Sequence, residues 1–445
     1  MPHNPVTGQF FKYALPSIVG MLIVSMQMMV DGVFVNMGVG AQGLAAVNLS
    51  MPLMNVMLSI GLMIVSGGVV IAGVAKGSRD EGRCRGYTLL TFLLLVGTLT
   101  LLPALLMTNF TGVCRFLGAD EALMPYVRGY LGILLPGSLF FCIPNFTEAF
   151  TRLRGRPNMV FVSGAICFAV NALLDYVFVL RWNWGMRGAA VATCSANTLA
   201  AVVLFPMVKM GRIRGTRQQV GRNICKIFFN GSSEMLTSVA SAVTTFAFNL
   251  VLMHRTGYLG VAALTIVFYV NLIVNMSLFG LSQALYPLMA YNLGARNLAG
   301  IKTLLRTALL SGAVIGIGVY VSVTCCRESI VQLFARDNDA LAALTRTAMT
   351  FITLHYLISF VNVVGCSFHT AIERPVESAA IALSRSIVFV LAALWTLPHL
   401  WGDTGIWITM PVAEALCLAV TLPLMRYSLR RLERGITGGN ALCKN

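Results

Sequence analysis

Apolar residues in this chain come in long blocks rather than in alternation. From Phe10 to Val35 nearly every position is apolar, and blocks of similar length recur as far as residue 429, each closed by a short polar stretch. A run of about 20 apolar residues crosses the hydrocarbon core of a bilayer as a helix. The pattern predicts twelve membrane helices, over 10–36, 44–75, 86–108, 121–150, 159–181, 188–208, 223–254, 260–292, 300–326, 340–371, 377–398 and 405–429. Several are longer than a bilayer needs, which implies tilt or protrusion past the lipid. Pro16, Pro52, Pro136 and Pro144 fall inside predicted helices. Each removes a backbone donor, so each marks an expected kink.

The polar stretches differ in charge. Lys12, the loop residues Lys76 to Arg85, Arg152 to Arg156, Lys209 to Lys226, Arg296 to Arg306, Arg374, and Arg426 to Lys444 fall on one side of the predicted topology. Together they hold 23 of the 32 basic residues. The opposite loops hold Arg115, Arg181, Arg187, Arg255, Arg327 and Arg336. Positive loops stay in the cytoplasm. The expectation is a multi-pass protein of the cell inner (plasma) membrane with both termini cytoplasmic, and an even helix count agrees in placing them on one side. The N-terminal MPHNPVTGQ has no basic region and no small-residue cleavage site, so the first block reads as a retained helix.

The pattern also repeats. Gly40-Ala41-Gln42-Gly43-Leu44-Ala45-Ala46 matches Gly257-Tyr258-Leu259-Gly260-Val261-Ala262-Ala263 at an offset of 217. Gly77 to Asp80 matches Gly294 to Asn297, and Gly188 matches Gly405, at the same offset; Arg156-Pro157 matches Arg374-Pro375 at 218. A six-helix unit, being even, enters the membrane twice from the same side, as in parallel-repeat transporters. The expected organisation is an N-terminal lobe over 1–208, a cytoplasmic linker over 209–222 and a C-terminal lobe over 223–445 with a short basic tail. The fold class is all-α integral membrane, two pseudo-symmetric six-helix lobes.

Composition agrees. Of 445 residues 57% are hydrophobic and 11% charged, where soluble domains run at about 25% charged. The net charge of +16 sits in short interhelical loops, without the basic-aromatic platform of a nucleic-acid binder, so no nucleic-acid partner is expected. Eleven scattered cysteines without a Cys-x-x-Cys pair read as free thiols. There is no nucleophile–base constellation, phosphate-binding loop or nucleotide-binding domain. That argues against an enzyme and against ATP as the energy source, and no cofactor is expected.

Against this background the acids inside apolar blocks matter. A charge at mid-membrane depth costs about 2.5–3.5 kcal/mol on insertion scales and points to function. Asp31 lies in the inner part of the first block. Asn171 and Asp175, four residues apart, share one face of the fifth helix. Both are hard oxygen donors suited to a proton or sodium ion. Thr193, in the sixth helix, adds a hydroxyl. Adding 217 to these positions gives Phe248, Val388, Ala392 and Met410, all apolar, so only the first half carries the set. Glu148 beside Arg152 reads as a salt-bridged interfacial acid. Glu234 and Glu414 are candidate substrate-cleft acids, with Arg385 a candidate partner for one of them. His254, His355 and His369 lack metal-ligand spacing and read as structural, leaving no metal site beyond sodium at the coupling set.

Pro16, the VDGVFV segment at 30–35, the Gly-x-x-x-Leu-Ala-Ala turn at 40–46, NALLDYVFV at 171–179, Arg156-Pro157 and the Gly-Ala-Ala-x-Ala-Thr run at 188–193 resemble the multidrug and toxic compound extrusion (MATE) family. The pattern is most similar to its DinF-like branch and covers essentially the whole chain. The resemblance implies a cation-coupled exporter whose coupling site lies in the N-terminal lobe, on Asp31, Asn171, Asp175 and Thr193. The implied activity is export of amphipathic, cationic organic compounds in exchange for protons or sodium ions, by a monomer in the lipid bilayer. The alternative is a flippase for a lipid-linked precursor in the same superfamily. Such a flippase wants basic residues at membrane depth, and here only Arg385 is plainly mid-helix.

Overall fold

The computed structural model describes residues 5–335 and 338–437. Arg336 and Lys444, counted above among the loop charges, lie outside the described residues, as do the first four residues of the N-terminal stretch. Eleven described helices are long and apolar enough to cross a membrane, and a bent pair makes a twelfth span. The first six spans are Pro5–Val39, Ala41–Gly77, Glu81–Met107, the pair Met124–Leu134 and Ser138–Leu153, Pro157–Arg181 and Gly185–Met207. The next six are Arg217–Arg255, Gly257–Gly294, Leu298–Ala335, Asp339–Ala371, Pro375–Trp401 and Asp403–Thr437.

Most helices run several residues past the apolar blocks that predict them, because polar residues at their ends continue the backbone hydrogen bonds beyond the lipid-compatible stretch. Among the four expected kinks, the break falls at Pro136, between the two halves of the fourth span, which are bent by 43°. Pro16, Pro52 and Pro144 stay inside unbroken helices.

The repeat reappears in the turns. Left-handed backbone occurs at Gly40 and Gly257, at Arg79 and Arg296, and at Gly185 and Gly402, each pair 217 residues apart, and at Gly155 and Glu373, 218 apart. Left-handed residues end helices by turning the chain where a right-handed one would continue it. The same turn therefore closes the same helix in each half. Two of these eight positions are arginines and one is a glutamate, so turn geometry is kept even where glycine is not.

By compactness the chain divides into Phe11–Met235 and a second unit of Leu236–Asn445 with Met1–Phe10. The division falls inside the seventh span. In the first unit, the second span passes the start of the seventh at backbone contact. A Cβ on Gly67 would sit 1.9 Å from the Ile227 carbonyl oxygen, and one on Gly231 would sit 1.8 Å from that of Met63. Only glycine admits so close a crossing, and it ties the beginning of the seventh helix to the first unit. The second span also packs along the third and fourth, and the fifth along the sixth. In the second unit, Phe248, Leu252, Val267, Met349, Ile352, Ile406 and Trp407 form one buried core.

Candidate functional site

Two stripes of residues face each other in the first unit. Along the fifth span, Ser163, Cys167, Asn171, Asp175 and Val179 recur every fourth position, so all five lie on one face, and all five are buried. Along the first span, Gln27, Asp31, Val35 and Gly38 make the matching stripe. Contacts join the two at several levels. The Cys167 thiol donates to Gln27 Oε1 at 3.9 Å. A Cβ on Gly38 would meet Val179 Cγ1 at 2.4 Å, so the two helices approach closely there. Val35 and Val179 belong to one buried apolar cluster.

Between these levels the Asp31 and Asp175 carboxyls meet within hydrogen-bonding reach of each other. Two ionised carboxylates only accept, so neither can donate to the other. Accordingly, Asp31 Oδ1, both carboxylate oxygens of Asp175 and both polar atoms of the Asn171 amide are buried without a partner. A buried polar group left unsatisfied costs about 1–3 kcal/mol, more when charged. A proton shared between the carboxyls, or a small hard cation among their oxygens, relieves that cost, so the donor set fits either ion. Asp175 is also the last α-helical residue of its span. The next turn, Tyr176–Arg181, is π-helical. Single π turns inside helices often mark functional sites, because the extra residue re-aims nearby side chains.

Of the four residues singled out in the sequence, the structure joins Asp31 to Asp175 and puts Asn171 one turn away on the same buried face. Thr193 is buried, but its hydroxyl donates to the Ala189 carbonyl at 3.0 Å, along its own helix. The next turn continues that pattern, with Asn197 Nδ2 donating to the Thr193 carbonyl at 2.8 Å. The sequence reading missed Tyr130, Gln27, Cys167 and Asn197. Tyr130, in the first half of the fourth span, lies in the field of Asp31, Asp175 and Cys194. Gln27 and Cys167 were visible as polar residues one turn before Asp31 and Asn171. Tyr130 carried no such signal, since it is far from Asp31 and Asp175 along the chain and no charged or amide residue lies three or four positions from it.

The remaining acids are engaged. Glu148 Oε2 accepts from Arg152 Nη2 at 2.9 Å, near the end of the fourth span, so the expected salt bridge is formed, with Arg152 only 2% exposed. In the second unit Glu414 is 5% exposed. Arg385 Nε donates to one of its oxygens at 2.6 Å and Asn362 Nδ2 to the other at 2.6 Å. Arg385 is thus the partner of Glu414, and a carboxylate so neutralised pulls weakly on a substrate cation. Glu234 is half-buried on the seventh span. His355 and His369 bond to carbonyls of their own helices, through the Ile352 and Gly365 oxygens.

A sequence model of the MatE family matches residues 16–177 and again 235–395, together more than half of the chain. The two matches fall one in each half of the repeat. Among curated proteins, the Multidrug export protein MepA of Staphylococcus aureus is 22% identical over 436 residues, covering 96% of this chain and 95% of its own. MepA of Staphylococcus saprophyticus is 22% identical over 431 residues, covering 94% and 93%. Among solved structures, the Vibrio cholerae MATE transporter VcmN in the bent form superposes with a TM-score of 0.90 at 17% identity, covering 96% of this chain and 98% of its own. A MOP superfamily transporter from Pyrococcus furiosus gives 0.89 at 17% identity, covering 96% and 97%.

Proposed function

The chain belongs to the MatE family, and from that premise we propose that it is a secondary antiporter that exports amphipathic, cationic organic compounds in exchange for protons or sodium ions. The observation that carries this reading is the facing pair Asp31 and Asp175 in the first unit, with Asn171 beside it. Two carboxylates in a low-dielectric site cannot both stay ionised cheaply, so the pair takes up one proton or one cation. Entry of that ion removes the repulsion between the first and fifth spans and lets them close. Loss of the ion favours their separation near Gly38 and Val179. Such a change does work only if substrate binds the two states with different affinity. The MepA relatives are described as multidrug export proteins, which supports a small organic substrate. The N-terminal location of the acid pair supports placement in the DinF-like branch.

The orientation we propose puts both termini and the linker in the cytoplasm of the inner (plasma) membrane, on the strength of the loop charges. The flippase reading loses its one basic residue at membrane depth, since Arg385 is already bound to Glu414. Proteoliposomes carrying an imposed proton gradient, or separately a sodium gradient, test the function with cationic and anionic dyes of similar size. Gradient-driven export of cations is the expected result. Export of anions alone would overturn it in favour of the flippase.

A further inference from the structure

The last turns of the twelfth span carry a cluster of arginines outside the acid site. Pro423, Tyr427 and Arg431 form one i, i+4, i+8 ridge, and Arg426, Arg430 and Arg434 form the adjacent one. All six are exposed. They line a cavity of about 700 Å³. The opposite face of the same turns is packed inward through Met425, Ser428 and Leu432. The arginines therefore face outward because the helix is held in that rotation. Behind the cavity, Arg374 stacks over the Tyr427 ring with its guanidinium carbon 5.8 Å from the centroid, and is itself bonded to Glu377 and Ser428.

Placement sets this cluster apart. Among the described residues, Arg83, Arg85, Arg152, Arg154, Lys302 and Arg374 each have a carboxylate partner, while the linker arginines Arg212, Arg214, Arg217 and Arg222 have none but do not share one helix face around one depression. Arg426, Arg430, Arg431 and Arg434 have none among the described residues, and the nearby Glu433 is bound to Lys302. Four like charges at one-turn spacing repel one another, which is unfavourable unless an anion sits among them. Guanidinium forks match phosphate oxygens bidentately. Topology alone asks for positive charge near the end of a span, not for four unpaired arginines around one concavity.

Position selects the anion. Leu416 and Leu422, exposed on the preceding turns, continue the apolar surface of the span up to Pro423. The cavity begins where that surface ends, with a half-exposed tyrosine at its floor, the residue type enriched at headgroup level. Basic pockets at the ends of spans bind anionic lipid headgroups. The depression is open on its outer side and lined by one helix face, and its volume of about 700 Å³ exceeds what a single phosphate occupies. We propose that this end of the twelfth span is a binding site for an anionic phospholipid headgroup, best filled by one that carries two phosphodiesters.

The test uses the full chain purified in detergent, with lipid binding read by native mass spectrometry. The probes are a two-phosphate lipid (cardiolipin), a one-phosphate anionic lipid (phosphatidylglycerol) and zwitterionic phosphatidylcholine. The variant combines Arg426→Gln, Arg430→Gln, Arg431→Gln and Arg434→Gln. A control of equal charge loss combines Arg212→Gln, Arg214→Gln, Arg217→Gln and Arg222→Gln in the linker. Each arginine near an anionic headgroup contributes about a fivefold factor, so the first variant should bind cardiolipin on the order of several hundredfold more weakly. Its binding of phosphatidylcholine, which reports folding, should be unchanged, and the linker control should bind cardiolipin as the unmodified protein does. Equal weakening in both variants would mean diffuse charge and not a site. Displacement of cardiolipin by soluble pyrophosphate at equal concentration would mean a soluble-anion site. Either result overturns the proposal.

Discussion

Arg385 Nε and Glu414 Oε1 lie 2.6 Å apart on the eleventh and twelfth spans, with Asn362 holding the other carboxylate oxygen. Thr421 in turn donates to Asn362 Oδ1 at 2.6 Å, so the pair is one link in a buried chain of bonds. Arg385 sits within a π-helical turn, Ser384–Val388, in the span that the repeat relates to the one carrying Asp175. The two halves therefore hold their buried acids in opposite ways, at positions the repeat does not relate, since Asp31 and Asp175 correspond to Phe248 and Ala392. In the first, two acids face each other with no cation of the chain between them among the described residues. In the second, an acid faces a cation supplied by the chain itself.

That relationship predicts a stability effect. Removing one partner of a buried ion pair leaves a bare charge and costs about 3–5 kcal/mol. Arg385→Ala and Glu414→Ala should each lower stability by that amount, measured by thermal or denaturant unfolding in detergent. The double variant Arg385→Met with Glu414→Leu should be closer to the parent than either single variant, since no charge is left unpaired. An unchanged Arg385→Ala would show that the pair is not formed in the membrane-embedded protein.

Coupling should reside in the first unit alone. Asp31→Asn and Asp175→Asn keep the side-chain size and remove the titrating group. Each should bind substrate while losing ion-stimulated export, by about 5- to 150-fold if the coupling energy is of ordinary size. With sodium as the coupling ion, Asn171→Ala should weaken stimulation too. Glu148→Gln should keep coupling, although it leaves Arg152 buried without its partner and so lowers stability. Transport under imposed gradients in reconstituted vesicles measures all four. Full coupling in both Asp variants would remove the site.

Topology gives a third check. Arg217→Cys and Glu121→Cys, introduced singly after replacement of native Cys225, Cys325, Cys326 and Cys443, probe opposite sides. A membrane-impermeant thiol reagent added to intact cells should label position 121, and position 217 only after permeabilisation. Labelling of position 217 from outside would reverse the orientation.

The crossing of the second and seventh spans is a fourth. A methyl group at Gly231 would lie 1.8 Å from the Met63 carbonyl oxygen, and backbone cannot swing aside as a side chain does. Gly231→Ala must push the helices apart, at a cost of about 1–3 kcal/mol. Gly221→Ala, at a position with open space around it, is the matched control. Equal unfolding midpoints for the two would show that the crossing is looser than its geometry.

The sequence by itself determined the spans, their even number, the twofold repeat and the identity of the buried acids. These are local properties: hydropathy is read along the chain, and a four-residue spacing puts Asn171 and Asp175 on one face whatever surrounds the helix. Even the turns were legible, because Gly40 and Gly257 repeat in sequence the left-handed conformation they share. Tertiary structure decided which of these residues meet. Asp31 and Asp175 are 144 positions apart, and what brings them together is the close approach at Gly38 and Val179 together with the rotation of both helices about their axes. The same dependence separates the acids. Glu414 and Asp175 look alike in sequence, each a carboxylate in an apolar helix. Packing turns Glu414 toward Arg385 and turns Asp175 toward another acid, so the first is neutralised within the chain and the second faces a like group.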